Sequence, residues 1–165
     1  AKRAGSREVA VTAKYPFQAE AAVAMGADHV FGTNKTAQDE LAEWAATHPV
    51  DVVIETVGGA ANTPAEATRI VRSGGRIALL GIFTNDIVLP SAGLTLKEPR
   101  IVFPFGYSYI GPHADYQIAV DLLGDEPELL GSLITHRFSL DSVAEMMQTA
   151  TDKAATGAIK VVVEH

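Results

Sequence analysis

The most constraining feature of this chain is a regular alternation of two kinds of segment. Short β-branched or apolar runs take turns with longer segments of helical character. The runs are Val9–Thr12, His29–Phe31, Val50–Glu55, Arg76–Leu80, Arg100–Phe105, Ile134–Phe138 and Ala158–Val163. The helical segments are Pro16–Met25, Thr36–Ala46, Thr63–Val71, Ala114–Leu123 and Leu140–Ala150. Runs that are apolar throughout, and so fit to be covered on both faces, suit a parallel sheet between helices. The expected fold class is α/β, a doubly wound parallel sheet. Local signals set the element ends. Pro16 starts a helix where its missing N–H is harmless, and Gly26 stops it. Thr36 and Asp39 are spaced like a weak capping box. Gly74–Gly75 reads as a turn, and Ser139 as an N-cap. Pro104 weakens the Arg100–Phe105 run or places it at a sheet edge.

Composition narrows the function classes. Of 165 residues, 47% are apolar and 20% charged, and the net charge is −7. A chain this acidic, with no basic face, does not suit a nucleic-acid or anionic-membrane binder. No apolar run approaches the roughly 20 residues of a membrane span. The chain has no cysteine, which removes disulfides and cysteine metal sites. The expectation is a soluble cytoplasmic domain. The five histidines (His29, His48, His113, His136, His165) show no metal-ligand spacing. The opening "AKRAG" reads as the last turn of a helix closed by Gly5, as in a piece of a longer chain.

Open parallel sheets bind ligands at the carboxyl ends of their strands. Here those ends read "TAKYP" (Thr12–Pro16), "ETVGG" (Glu55–Gly59), "LGIF" (Leu80–Phe83) and "FGYSY" (Phe105–Tyr109). Each carries glycine or small polar residues that let a ligand approach the backbone. Taken singly, each is also an ordinary turn.

Taken in order, longer phrases carry more. "AAVAMGADHVF", "DVVIETVGG", "RIVRSGGRIALLGIF", "LTLKEPRIVFPFGYSY" and "LITHRFSLDSVAEMM…TGAIKVVV" together span nearly the whole chain. In this order they resemble the medium-chain dehydrogenase/reductases, the zinc-type alcohol dehydrogenase superfamily, including its sorbitol- and threonine-dehydrogenase-like members. The resemblance implies the carboxyl-terminal, coenzyme-binding half of such an enzyme. The fold would be Rossmann-like but incomplete, because no G-x-G-x-x-G occurs and the first, central strand would lie upstream. Residues 1–133 would form the partial dinucleotide-binding domain. Residues 134–165 would return to the catalytic domain. That domain, with any zinc, would lie outside this stretch, and the chain alone would be inactive.

The resemblance also assigns residues. The acidic position that holds the ribose hydroxyls of NAD falls on Ala13, followed by Lys14 and Tyr15. A small residue followed by a cation suits a 2′-phosphate, so NADP is preferred to NAD, and Tyr15 could stack on adenine. Val57 and Gly58 would line the adenosine side. Leu80, Gly81 and Ile82 would lie beside the nicotinamide, and Phe103 and Phe105 would face its carboxamide. In Gly157-Ala158-Ile159-Lys160, Lys160 would contact the pyrophosphate as a point charge. Glu55 reads as a structural carboxylate at the end of a buried strand. The acidic run Asp125, Glu126, Glu128 reads as a solvated helix start. Val143, Met146, Met147 and Ala150 read as a core-facing helix stripe.

The implied reaction is hydride transfer between NADP or NAD and a small alcohol or carbonyl substrate. A homo-oligomer is expected, since in the family the strand at Arg100–Phe105 commonly pairs across a two-fold axis. Two alternatives stay open: a stand-alone α/β binding or dimerisation module, and another α/β cofactor binder such as a methyltransferase.

Overall fold

The structure, a computed structural model, describes residues 1–106, 108–110 and 113–164. His165 and Tyr107 of the "FGYSY" tip lie outside the described residues. Strand and helix alternate from Ala10 to Val102, and the chain divides into two compact units.

The first unit is residues 34–108. Helix α2 (Lys35–Thr47) precedes β3 (Val50–Glu55), α3 (Thr63–Ile70), β4 (Val71–Leu79), α4 (Ser91–Lys97) and β5 (Arg100–Val102). The three strands form one parallel sheet in the order β3-β4-β5. Ala67, Val71, Ile77 and Leu79 make its buried core, with Val53, Phe83, Ile87 and Ile101 packed around them. Ile77 is fully enclosed, a burial that contributes about 1.5–3 kcal/mol for a side chain of this size. The Gly74–Gly75 turn is a bulge inside β4. Pairing jumps from Val50↔Val71 to Val52↔Arg76, so β4 advances five residues while β3 advances two.

The second unit joins residues 1–33 to 109–165. Strands β1 (Ala10–Thr12) and β2 (His29–Phe31) pair in parallel around α1 (Pro16–Ala24). A short antiparallel pair, β6 (Tyr109–Ile110) with β7 (His113–Ala114), leads into α5 (Asp115–Asp125) and α6 (Pro127–Gly131). Strands β8 (Ile134–Ser139) and β9 (Lys160–Glu164) pair in parallel, with α7 (Val143–Thr151) and α8 (Lys153–Thr156) between them.

Several expectations need correction. The cap of α2 is Asn34, whose Oδ1 accepts from the Ala37 amide at 2.9 Å. Thr36 lies inside the helix, and Asp39 pairs instead with Lys35 and Arg69. Strand β5 stops at Val102, because Pro104 has no N–H to continue the ladder. Helix α4 was not anticipated. Strand β3 is not buried on both faces: Val52 and Ile54, two residues apart and so on one face, are exposed. Ser139 makes no side-chain cap bond and precedes a 3-10 turn, Leu140–Ser142. On α7, Met146 and Ala150 are half-buried, but Val143 and Met147 face solvent. The acidic run is only partly a solvated start: Arg3 forks across Asp125 and Glu126 at 2.7 and 2.8 Å.

Candidate functional site

In residues 34–108 the tips of β3 and β4 are zipped together beyond the strand ends. The Glu55 carbonyl accepts from the amides of Leu80 (2.8 Å) and Gly81 (3.2 Å). Four residues beyond Glu55, the Gly59 amide donates to Ile82 O at 2.7 Å, and the Thr84 amide donates to Gly59 O at 3.0 Å. An isolated parallel bridge joins Gly59 to Phe83. Gly58 adopts the left-handed conformation (φ 64°) that turns the chain into this second contact. A Cβ on Gly58 would stand 2.6 Å from both Ile82 N and Ile82 O, so the two tips meet as bare backbone. The side chains on either side are turned outward: Val57 is 66% exposed, Leu80 49% and Ile82 81%. The structure therefore brings together Val57, Gly58, Leu80, Gly81 and Ile82. They form an apolar shelf at the carboxyl ends of two parallel strands, where open α/β sheets bind ligands.

Glu55 anchors this shelf. It is 5% exposed, and its Oε1 accepts three bonds: Val57 N–H (2.8 Å), Gly58 N–H (3.1 Å) and the Thr63 hydroxyl (2.7 Å). The structural reading of this carboxylate fits these contacts. Beside the shelf a small cleft of about 110 Å³ is lined by residues that include Asn62, Phe83, Asp86 and Ile87. Phe103 and Phe105 follow the end of β5, and both rings are exposed.

In the other unit, the tip of β1 carries Ala13, Lys14 and Tyr15. The Ala13 amide extends the pairing by donating to Phe31 O at 2.9 Å. The Lys14 amide is held by Gln18 Oε1 at 3.2 Å, while its ammonium lies 5.4 Å from the Tyr15 ring centre. Tyr15 is the N-cap of α1 and stacks on Phe17 at 5.3 Å between centroids. Gly157, the left-handed end of α8, lies against Phe17, with its Cβ position 4.0 Å from Cδ1. The Gly157–Lys160 phrase thus begins next to the aromatic pair that carries Lys14. Lys160 opens β9 with an exposed side chain, and its amide donates to Leu133 O at 3.1 Å. The approach of Phe17 and Gly157 spans the chain and leaves no local sequence pattern.

No group of three or more metal-ligating side chains occurs among the described residues. His48 Nδ1 is 2.9 Å from Trp44 O, and His136 Nδ1 is 2.9 Å from Thr135 Oγ1. His29 Nε2 lies 3.5 Å from Glu8. Among the described residues, no helix is long and apolar enough to cross a membrane.

Parallel strands alternating with helices, with backbone-built loops at the strand tips, define a Rossmann-like α/β protein. Residues 1–125 match the zinc-binding dehydrogenase family, and the chain belongs to that family. It is 32% identical over 106 residues to an L-arabinitol 4-dehydrogenase of Aureobasidium melanogenum, covering 64% of this chain and 27% of that protein. It is 28% identical over 152 residues to human sorbitol dehydrogenase, covering 90% of this chain and 41% of that one. The chain thus spans less than half the length of these relatives. The same fold occurs in a zinc-binding dehydrogenase from Sinorhizobium meliloti solved bound to NADP. There the TM-score is 0.79 at 24% identity, over 99% of this chain and 47% of that one. It also occurs in an alcohol dehydrogenase from Escherichia coli CFT073 solved with NADH. There the TM-score is 0.75 at 23% identity, over 96% and 45%.

Proposed function

We propose that this chain is the coenzyme-binding portion of an alcohol- or polyol-dehydrogenase-type oxidoreductase, with NADP preferred to NAD. The observation that carries the reading is the zipped pair of strand tips, which presents Val57, Leu80 and Ile82 as an exposed apolar shelf beside bare backbone. Flat aromatic rings suit such a shelf, and glycine allows close approach to peptide groups. The residues present therefore fit a dinucleotide.

When bound, the dinucleotide supplies the hydride acceptor or donor for an alcohol or carbonyl substrate. The chain's own residues position it. Val57 and Gly58 line the adenosine side. Leu80, Gly81 and Ile82 lie along the nicotinamide, with Phe103 and Phe105 toward its carboxamide. Lys160 faces the pyrophosphate. At the β1 tip, Ala13 offers no carboxylate to repel a 2′-phosphate, and the Lys14 ammonium makes no ion pair among the described residues. Lys14 over Tyr15 presents a cation and a ring together, a combination suited to a phosphate next to adenine. The zinc-binding dehydrogenase solved with NADP supports this preference, and the alcohol dehydrogenase solved with NADH supports the alternative.

The exposed apolar residues Leu140, Val143 and Met147 suit packing of residues 134–165 on a catalytic domain. Among the described residues β5 pairs with β4 alone, and the exposed Val102 and the following Phe103 suit a second copy of the chain and a homo-oligomer.

Fluorescence titration of the purified protein with NADPH and with NADH tests the reading. Tighter binding of NADPH is expected. Tighter binding of NADH overturns the NADP preference, and binding of neither overturns the coenzyme reading.

A further inference from the structure

Glu55 is a buried acid with an uneven hydrogen-bond inventory. Oε1 takes all three donors, from Val57, Gly58 and Thr63. Oε2 is enclosed and has no hydrogen-bond partner among the described residues. It lies against Gly81, where a Cβ would stand 2.5 Å from it. The carbonyl of the same residue receives Leu80 N–H and Gly81 N–H. One residue therefore grips the β3 tip by its side chain and the β4 tip by its main chain, and fills the space between them.

Enclosure of both carboxylate oxygens argues against a general base, which must reach the proton it takes. An ordinary core role is also a poor match. Core positions favour apolar side chains, and a carboxylate is costly to bury unless its bonds serve something. Here they hold two consecutive amides that would otherwise be left unpaired, at the turn that sets the direction of Val57.

We propose that Glu55 is a positioning residue that sets the spacing of the Val57–Gly58 and Leu80–Ile82 tips, and through them the affinity for the nicotinamide dinucleotide. The proposal rests on the coenzyme reading above. Its working feature is the acceptor at Oε1. Glu55→Gln retains that acceptor. Glu55→Leu removes it and strands three donors, and Glu55→Asp draws it back by one methylene.

The test measures NADPH and NADH affinity by fluorescence, together with thermal melts, on wild type, Glu55→Leu, Glu55→Asp, Glu55→Gln and the core control Ile77→Ala. Titrations are run at a temperature where circular dichroism shows each variant folded. Glu55→Leu and Glu55→Asp are expected to weaken binding at least about tenfold, an order of magnitude being about 1.4 kcal/mol. Glu55→Gln is expected to stay within about threefold of wild type. Ile77→Ala is expected to melt earlier yet bind as wild type. If Glu55→Leu does not fold, Glu55→Asp carries the same expectation.

Wild-type affinity in both Leu and Asp variants overturns the proposal, as does a loss in Glu55→Gln equal to that in Glu55→Asp. If wild type binds neither dinucleotide, the coenzyme reading fails on its own, and amide hydrogen exchange decides for Glu55. Faster exchange at Val57, Gly58, Leu80 and Gly81 in Glu55→Asp, reversed in Glu55→Gln, supports positioning; unchanged exchange overturns it.

Discussion

Gly58 and Gly81 meet backbone to backbone. A Cβ on Gly81 would run into the Gly58 amide nitrogen and Cα, and one on Gly58 would run into the Ile82 peptide. The closeness is what lets the tips of β3 and β4 stay hydrogen-bonded beyond the strand ends.

Gly81→Ala should therefore force the two tips apart and lower stability by about 1–3 kcal/mol, the usual range for overpacking. Gly58→Ala adds the strain of a left-handed backbone and should cost more. Gly124→Ala, in α5 with nothing within 4 Å of the new methyl, should be neutral or stabilising. Denaturant melts of the three variants give the ranking. A Gly81→Ala variant as stable as wild type would contradict the packing.

On the proposed coenzyme reading, the β1 tip sets the choice between NADP and NAD. Ala13→Asp should weaken NADPH binding at least about tenfold, because a carboxylate would face the 2′-phosphate, and should spare or improve NADH. Lys14→Ala should weaken NADPH more than NADH. Paired titrations check both, and equal losses for the two coenzymes would remove Lys14 from phosphate recognition.

Glu66 carries a pH dependence. Burial beside α2 raises its pKa above the ordinary carboxylate value, although Arg69 and Lys35 pull the other way. A raised folded-state pKa means that the charged form costs stability above that pKa, and that the cost fades as pH falls through it. Glu66→Gln keeps an acceptor for the Gln38 carboxamide, which donates to Glu66 Oε1 at 2.8 Å. The variant should melt higher than wild type at pH 7, with the difference vanishing near pH 3. A gap that widens on acidification would reverse the sign and refute the assignment.

The Asn34 cap gives a local test. Asn34→Ala leaves the Ala37 amide unpaired and should cost about 1 kcal/mol, read from chemical denaturation. Thr36→Ala, inside the helix, should cost less.

Elements bounded by strong local signals were legible in the sequence. Val50–Glu55 is an apolar run between a proline and a glycine turn, and its predicted and observed limits coincide. His29–Phe31 coincides in the same way. Helix α4 escaped because Ser91–Lys97 is short and has a glycine at its third position, leaving too little apolar periodicity to see. The α2 cap was misplaced because Thr36 and Asp39 imitate a capping box, whereas Asn34 forms the bond. At the candidate site, the tip residues could be named from their place after each strand. Their zipping could not be, because it depends on a left-handed Gly58 and on which carboxylate oxygen collects the amides. Nor could the contact between Gly157 and Phe17, which lie 140 positions apart.

Amide hydrogen exchange with and without saturating NADPH tests the central claim most directly. Slower exchange in residues 12–16, 55–59 and 79–83 is the predicted result. Protection confined to other segments, or no change in these three, would contradict it.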